Sequence, residues 1–199
     1  ADGAGGLAQM RANIDAWWPH IERGAVEAIV INASGCGAMV KDYGHLLRHE
    51  PPYAERAARV SAMARDVSEL LPDLVAALRG RVRPPAEVLA WHAPCTLQHG
   101  QRLRGGVEQH LGALGFRLRP AAQEAHLCCG SAGTYSVLQP ELSLRLRERK
   151  LGQLLDEGAA DQPAAILSAN IGCITHLQAG TEVPVRHWIE LLDQALHAT

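Results

Sequence analysis

The chain has 199 residues, 47% of them hydrophobic, and a formal net charge of −2 at pH 7. This length accommodates one large domain or two small ones with a sizeable core, and the composition argues against intrinsic disorder. Acidic and basic residues are interspersed without a basic run, so no nucleic-acid partner is predicted. No apolar stretch reaches the ~20 residues that a membrane-spanning helix requires.

Helices and short apolar strands alternate along the chain. In chain order, the predicted elements are helix 7–24 closed by Gly24, strand 27–34, helix 38–49, helix 51–80 with a break at Pro72, strand 87–93, turn 94–99, helix 105–115, strand 116–121, helix 140–158, strand 164–170, helix 171–180, strand 183–188 and helix 189–198. Buried apolar strands that alternate with helices predict an α/β fold, with a mainly parallel sheet and helices on both faces.

A faint internal repeat divides the chain. The segment AIVINASGCGAMV (28–40) aligns with AILSANIGCITHL (165–177), so that Cys36 corresponds to Cys173 and Met39 to His176. We therefore expect two pseudo-repeated halves, the tail of a first module in 1–80 and a complete module in 81–199, packed as one compact unit. The boundary is expected in the Arg- and Pro-rich stretch 79–87. The sequence does not begin with Met and starts close to a predicted helix, so we expect it to be part of a longer protein.

The cysteines are the residues that most clearly suggest a chemical role. Their odd number argues against a closed disulfide framework and favours a reducing compartment. Each follows a predicted strand directly or after a loop, so all are expected at the carboxyl rim of a sheet: Cys36, Cys95, Cys128, Cys129 and Cys173. Helix N-termini and glycine amides at such a rim stabilise thiolates, which are the form that binds metal.

The stretch HLCCGSAG (126–133) places two cysteines side by side. Adjacent side chains diverge in a strand or a helix, so they converge poorly on a single zinc ion, whose ligands lie about 2.3 Å from one point. An iron–sulfur cluster offers several metal atoms to neighbouring thiolates, and the pattern therefore favours such a cluster. A zinc site, a thiol/disulfide switch and unliganded core thiols remain alternatives.

The spacing of these cysteines resembles the cysteine-rich CCG domain of heterodisulfide reductase-like proteins. The family pattern is a cysteine, a long gap, Cys–Cys–Gly, another long gap and then Cys-x-x-Cys. In this chain the last part reads CITH (173–176), so His176 occupies the position of the final cysteine. The other four positions are matched by Cys95, Cys128, Cys129 and Cys173. Within this family, HAPCTLQHGQ and HLCCGSAGTYSVLQPELS are similar to the iron–sulfur subunits of bacterial glycolate oxidases, and the likeness covers nearly the whole chain.

The resemblance implies an electron-transfer role. It implies a [4Fe–4S] cluster, cubane or noncubane, that passes electrons from a flavin-containing subunit, where glycolate becomes glyoxylate, towards quinone. The chain would not turn over substrate alone. An upstream ferredoxin-type domain of the same subunit and a cytoplasmic location, at the inner face of the membrane through the complex, are also implied. Zinc is the alternative metal.

Four further side chains are candidates beside the four matched cysteines. The resemblance makes Cys36 the last cysteine of a truncated first module and a candidate cofactor-binding residue. His176, three residues after Cys173, shares its helix face and is a candidate ligand or partner of a ligand. His99, four residues after Cys95, and His92, at the end of a strand, are weaker candidates for the same site.

Overall fold

The computed structural model describes residues 3–156, 158 and 160–198. The chain divides into two compact units, one ending at Val67 and the other beginning at Ser68. This division precedes the stretch 79–87, in which the sequence placed the boundary. The assignment of the two units to a truncated and a complete module stays a prediction.

The first unit joins helices to one pair of strands. Its elements are α1 Gly3–Glu22, β1 Ile29–Ile31, α2 Ser34–Lys41, α3 Tyr43–Leu46, α4 Ala54–Met63 and β2 Ala64–Asp66. β1 and β2 pair in parallel, with Ile29 opposite Ala64. The helices bury a core that includes Ile14, Leu47 and Val60.

The second unit contains a four-stranded sheet. A 3₁₀ turn, Val67–Leu70, leads into it. Its further elements are α5 Leu71–Leu78, β3 Val88–His92, a π-helical turn Thr96–Gly100, α6 Gly106–Ala113, β4 Arg117–Pro120, α7 Tyr135–Leu138, α8 Pro140–Leu155, β5 Ala165–Ser168, α9 Ile171–Gln178, β6 Val185–His187 and α10 Trp188–His197. The strand order is β4-β3-β5-β6, and every neighbouring pair is parallel. The predicted α/β fold, with parallel strands flanked by helices, is confirmed.

The core of the second unit includes two of its cysteines. All four residues of β5 are buried, as expected for a central strand of a parallel sheet. Apolar residues of α8 and α9, among them Leu151, Leu154 and Leu177, pack in one cluster with Cys129 and Cys173. The two thiols therefore lie at the edge of an apolar core that excludes water from them.

Several sequence-based boundaries were wrong in detail. The single helix predicted for 51–80 is interrupted by β2 and a 3₁₀ turn, and Pro72 lies in the first turn of α5, where a missing N–H costs nothing. The predicted helix 38–49 is two helices, α2 and α3, and α7 was not predicted. Glu157, within the predicted helix 140–158, lies outside the described residues. Among the described residues, no helix combines the length and apolar character needed to cross a membrane.

Candidate metal centre

The cysteines of the second unit lie where strands end and helical turns begin. Cys95 precedes the π-helical turn that follows β3, and Cys173 is the third residue of α9, which follows β5. Cys128 and Cys129 lie in the loop that joins β4 to α7. Because β3 and β5 are parallel neighbours, their carboxyl ends meet at one edge of the sheet, and the loop after β4 begins at that same edge.

At this edge the four thiols form a continuous chain of contacts. Cys128 is within hydrogen-bonding reach of both Cys95 and Cys129. Cys129 also reaches Cys173. Cys129 and Cys173 are only 1% and 4% exposed, whereas Cys95 and Cys128 are half-buried. The structure thus brings together the four cysteines that match the CCG pattern, and their role as ligands stays a prediction.

The pKa values of neighbouring thiols are shifted in opposite directions. Hydrogen bonds from the thiols of Cys129 and Cys95 lower the pKa of Cys128 to about 2, and a hydrogen bond from Cys129 lowers the pKa of Cys173 to about 4. The same hydrogen bonds, together with burial, raise the pKa of Cys129 and of Cys95. The pKa values are therefore shifted in opposite directions along the row of thiols, because adjacent anions without a cation would repel one another. A bound metal would supply that positive charge and favour deprotonation of all four.

Polar groups around the cluster are oriented towards sulfur. The Gly130 amide donates to Cys128 Sγ at 3.3 Å, and Asn170 Nδ2 donates to Cys173 Sγ at 3.6 Å. Ser131 Oγ lies 3.3 Å from Cys129 Sγ and donates to Cys173 Sγ at 3.8 Å. N–H and O–H donors to sulfur stabilise thiolates and are one of the features with which proteins tune iron–sulfur clusters.

His92 lies among these thiols more closely than its sequence position suggested. One of its ring nitrogens and the sulfurs of Cys129 and Cys173 all lie within 4.8 Å of one another. The side chain is buried, and within the described part of the chain its Nε2 has no hydrogen-bond partner. From the sequence His92 was only a weaker candidate, because its position at a strand end was the one signal that pointed to it. The register that sets His92 opposite Ser168 was not readable from the sequence.

Gly130 allows the backbone to turn tightly after the two cysteines. Its φ is +100°, and a Cβ at this position would lie 2.3 Å from Ser143 O and 3.0 Å from His176 Nε2. Ser143 Oγ donates to Gly130 O at 2.8 Å and lies 3.3 Å from His176 Nε2. The Nε2 of His176 therefore contacts Ser143 beside the glycine. The glycine after the cysteine pair is needed for this close approach.

The two other candidate residues have separate environments. Cys36 is exposed in the first turn of α2, within the first unit. His99 accepts a hydrogen bond from Arg104 at 3.0 Å, and its Nε2 lies 3.3 Å from His126 O. His99 thus holds the backbone two residues before Cys128, which is a role in positioning the loop.

These observations define a cysteine-rich centre at the edge of a parallel sheet. A profile described as "Cysteine-rich domain", named CCG, matches residues 89–178. The segment it covers begins in β3 and ends in α9, and so contains the four clustered cysteines together with His92 and His176.

Individual relatives extend the match over most of the chain. It is 50% identical over 194 residues to the "Glycolate oxidase iron-sulfur subunit" of Escherichia coli K12, which covers 96% of the chain and 45% of that protein. It is 29% identical over 157 residues to the "Probable glycolate oxidase iron-sulfur subunit" of Bacillus subtilis, covering 79% of the chain and 34% of the relative. It is 31% identical over 182 residues to "Lactate utilization protein A" of an Exiguobacterium, covering 88% and 71%.

The chain therefore belongs to the cysteine-rich CCG family. It spans less than half the length of the two glycolate oxidase subunits it matches.

Proposed function

We propose that the chain is an iron–sulfur electron-transfer module that holds a [4Fe–4S] cluster through Cys95, Cys128, Cys129 and Cys173. The observation that carries this proposal is the convergence of four thiols, two of them adjacent in sequence, at one partly buried edge of the sheet. The relatives named as iron–sulfur subunits support the same conclusion.

The chemistry of the residues at this site is suited to a [4Fe–4S] cluster. Two of the four thiols already have lowered pKa values, and amide, side-chain amide and hydroxyl donors surround the sulfurs. The apolar cluster around Cys129 and Cys173 keeps water away from two of the ligands. When bound, the cluster would accept and release single electrons. The reduction potential of an iron–sulfur cluster depends on such donors to sulfur and on burial.

The other candidate residues take different places in the proposal. His176 contacts Ser143 through Nε2, which favours a role in holding Gly130 over direct ligation. His92, with its unpartnered Nε2, is a neighbour or an additional ligand of the centre. Cys36 is proposed to serve a cluster of the first module, because it occupies in α2 the position that Cys173 occupies in α9.

We propose that the electrons originate from glycolate, by analogy with the relatives' names. Oxidation of glycolate to glyoxylate releases two electrons and two protons, which a flavin-containing partner subunit would accept. The module would then pass the electrons singly towards quinone, in series with an upstream ferredoxin-type domain. It would work in the cytoplasm at the inner face of the membrane, through the complex, and would not catalyse turnover by itself.

A zinc-stabilised docking domain is the second candidate. The observation that favours it is the compact group of His92, Cys129 and Cys173, whose size suits one ion with three protein ligands. A thiol/disulfide protein is the third, favoured by the low pKa and half-buried position of Cys128. Neither alternative uses all four thiols.

Metal and sulfide analysis separates these candidates. The chain would be purified and reconstituted without oxygen, and iron, acid-labile sulfide and zinc would be measured per chain, followed by EPR of the reduced protein. About four irons and four sulfides per chain are expected. One zinc without sulfide would overturn the proposal in favour of the docking domain. Metal-free protein with a Cys128–Cys129 or Cys128–Cys95 disulfide would favour the thiol/disulfide function.

A further inference from the structure

A buried lysine lies behind the cysteine pair. Lys150, in the last two turns of α8, is 1% exposed. Within the described part of the second unit, no other Lys, Arg, Asp or Glu is buried to this degree. Burial of an ammonium group is costly unless an acceptor or an opposite charge compensates for it, so this position calls for a partner.

The first partner of Lys150 is the turn that leads into the cysteines. Its Nζ donates to the Glu124 carbonyl at 2.8 Å, and the Leu127 amide donates to the same oxygen at 2.8 Å. Glu124 has a φ of +50°, and its carboxylate pairs with Arg149, the residue before Lys150. One carbonyl thus ties the end of α8 to the turn 124–127, and Cys128 follows that turn directly.

The second source of compensation is the negative charge around Lys150. Burial lowers the pKa of Lys150, whereas the nearby Cys129, Glu124 and Cys128 raise it. Among the described residues, the Glu124 carbonyl is the one acceptor that receives a hydrogen bond from Nζ, although an ammonium has three donors. The remaining compensation therefore comes from negative charge close to Lys150, on the Glu124 carboxylate and on the cysteine pair that follows the turn.

We propose that Lys150 is a positioning residue of the cysteine centre, which holds the turn before Cys128 and supplies a fixed buried positive charge to the group that these thiols bind. The inference rests on the proposed function, because an iron–sulfur cluster with four thiolates is anionic and becomes more so on reduction. A fixed cation favours the reduced state. Lys150 would therefore raise the reduction potential and support assembly of the centre.

Two substitutions separate the contributions of the charge and the hydrogen bond. Lys150→Gln removes the charge and keeps an N–H donor for Glu124, whereas Lys150→Met removes both. Arg149→Gln is the matched control, because it removes a neighbouring charge that is exposed and leaves the Lys150–Glu124 contact intact. Each variant would be reconstituted without oxygen, and its iron content, its EPR-monitored reduction potential and its melting temperature with and without the cluster would be measured.

Both Lys150 variants are expected to favour the oxidised cluster over the reduced one by about tenfold. For one electron this lowers the reduction potential by about 59 mV. Lys150→Met is expected to lose more iron than Lys150→Gln, and Arg149→Gln to match the wild type in both. Wild-type potentials in both Lys150 variants, with equal losses of melting temperature in the loaded and the metal-free protein, would overturn the proposal and leave a structural role. Absence of iron and sulfide in the wild type itself would overturn the proposed function first, and this inference with it.

Discussion

Two strand–turn–helix segments carry a cysteine at the same position, but the two cysteines differ in their burial and in their contacts. In β1–α2 the cysteine is Cys36, and in β5–α9 it is Cys173; each is the third residue of its helix, after an N-cap residue with an extended backbone. Cys36 is exposed, whereas Cys173 is buried and contacts Cys129. Local sequence is thus sufficient to place a thiol at the start of a helix, but not to build a site around it.

The surroundings of Cys173 come from distant parts of the chain. Cys129 and Ser131 lie in the loop after β4, and His92 lies at the end of β3. The first unit contains no second cysteine, so Cys36 has no thiol partner within it. A cysteine at a helix start becomes a candidate metal ligand when other segments of the chain place further ligands, and hydrogen-bond donors to sulfur, beside it.

Replacement of Cys129 is the strongest test of this contrast. Cys129→Ser removes the thiol that contacts both Cys128 and Cys173, so iron and sulfide contents after reconstitution are expected to fall to background. Cys36→Ser is the control: the first unit offers Cys36 no second thiol with which to hold a cluster in this chain, so its iron content is expected to equal that of the wild type. Normal loading of Cys129→Ser would refute the proposed ligand set.

The reactivity of Cys128 sharpens the contrast without any mutation. Because its pKa is lowered to about 2, it stays a thiolate as pH falls, and the rate of its alkylation in metal-free protein is expected to stay nearly constant from pH 8.5 to 5.5. A model thiol with a pKa of about 8.5 slows by about 500-fold over this range. Peptide mass spectrometry after iodoacetamide pulses measures both rates. A Cys128 rate that falls in parallel with that of the model thiol would contradict the hydrogen-bonded arrangement.

Gly130 tests whether the close packing behind the cysteine pair is required. Gly130→Ala places a Cβ 2.3 Å from Ser143 O at a φ of +100°, and is expected to lower the free energy of unfolding by about 3–5 kcal/mol. Gly133→Ala, at a φ of +51° with no atom within 4 Å of the added carbon, is expected to cost about 1 kcal/mol. Urea unfolding of the metal-free variants gives both values, and equal losses would show that packing against Ser143 is unimportant.

The substitution with the smallest expected effect makes the β5–α9 segment resemble the β1–α2 segment at one further position. His176→Met introduces the residue that α2 carries as Met39 and removes the contact with Ser143. It is expected to lower the free energy of unfolding by about 1 kcal/mol and to leave iron content unchanged. Loss of iron in this variant would instead identify His176 as a ligand.

Much of the second unit could be predicted because its signals are local. The predicted strands 87–93, 116–121, 164–170 and 183–188 each contain an observed strand, since short apolar runs between turn residues favour strands. β2 was missed because three residues, Ala64–Asp66, carry no periodicity of their own, and they form a strand through pairing with β1. Likewise, the contacts of His92 and Lys150 depend on strand register and on α8 packing, which no local pattern encodes.

By itself, the sequence determined the alternation of strands and helices and the position of each cysteine at the end of a strand or in the loop that follows. These features depend on hydrophobic periodicity and turn residues, which act over a few positions. Only the tertiary structure decided that Cys95, Cys128, Cys129 and Cys173 meet, that His92 is among them, and that Lys150 lies behind the turn. Those contacts join segments up to about 80 residues apart, and the parallel register that creates them is a property of the whole sheet.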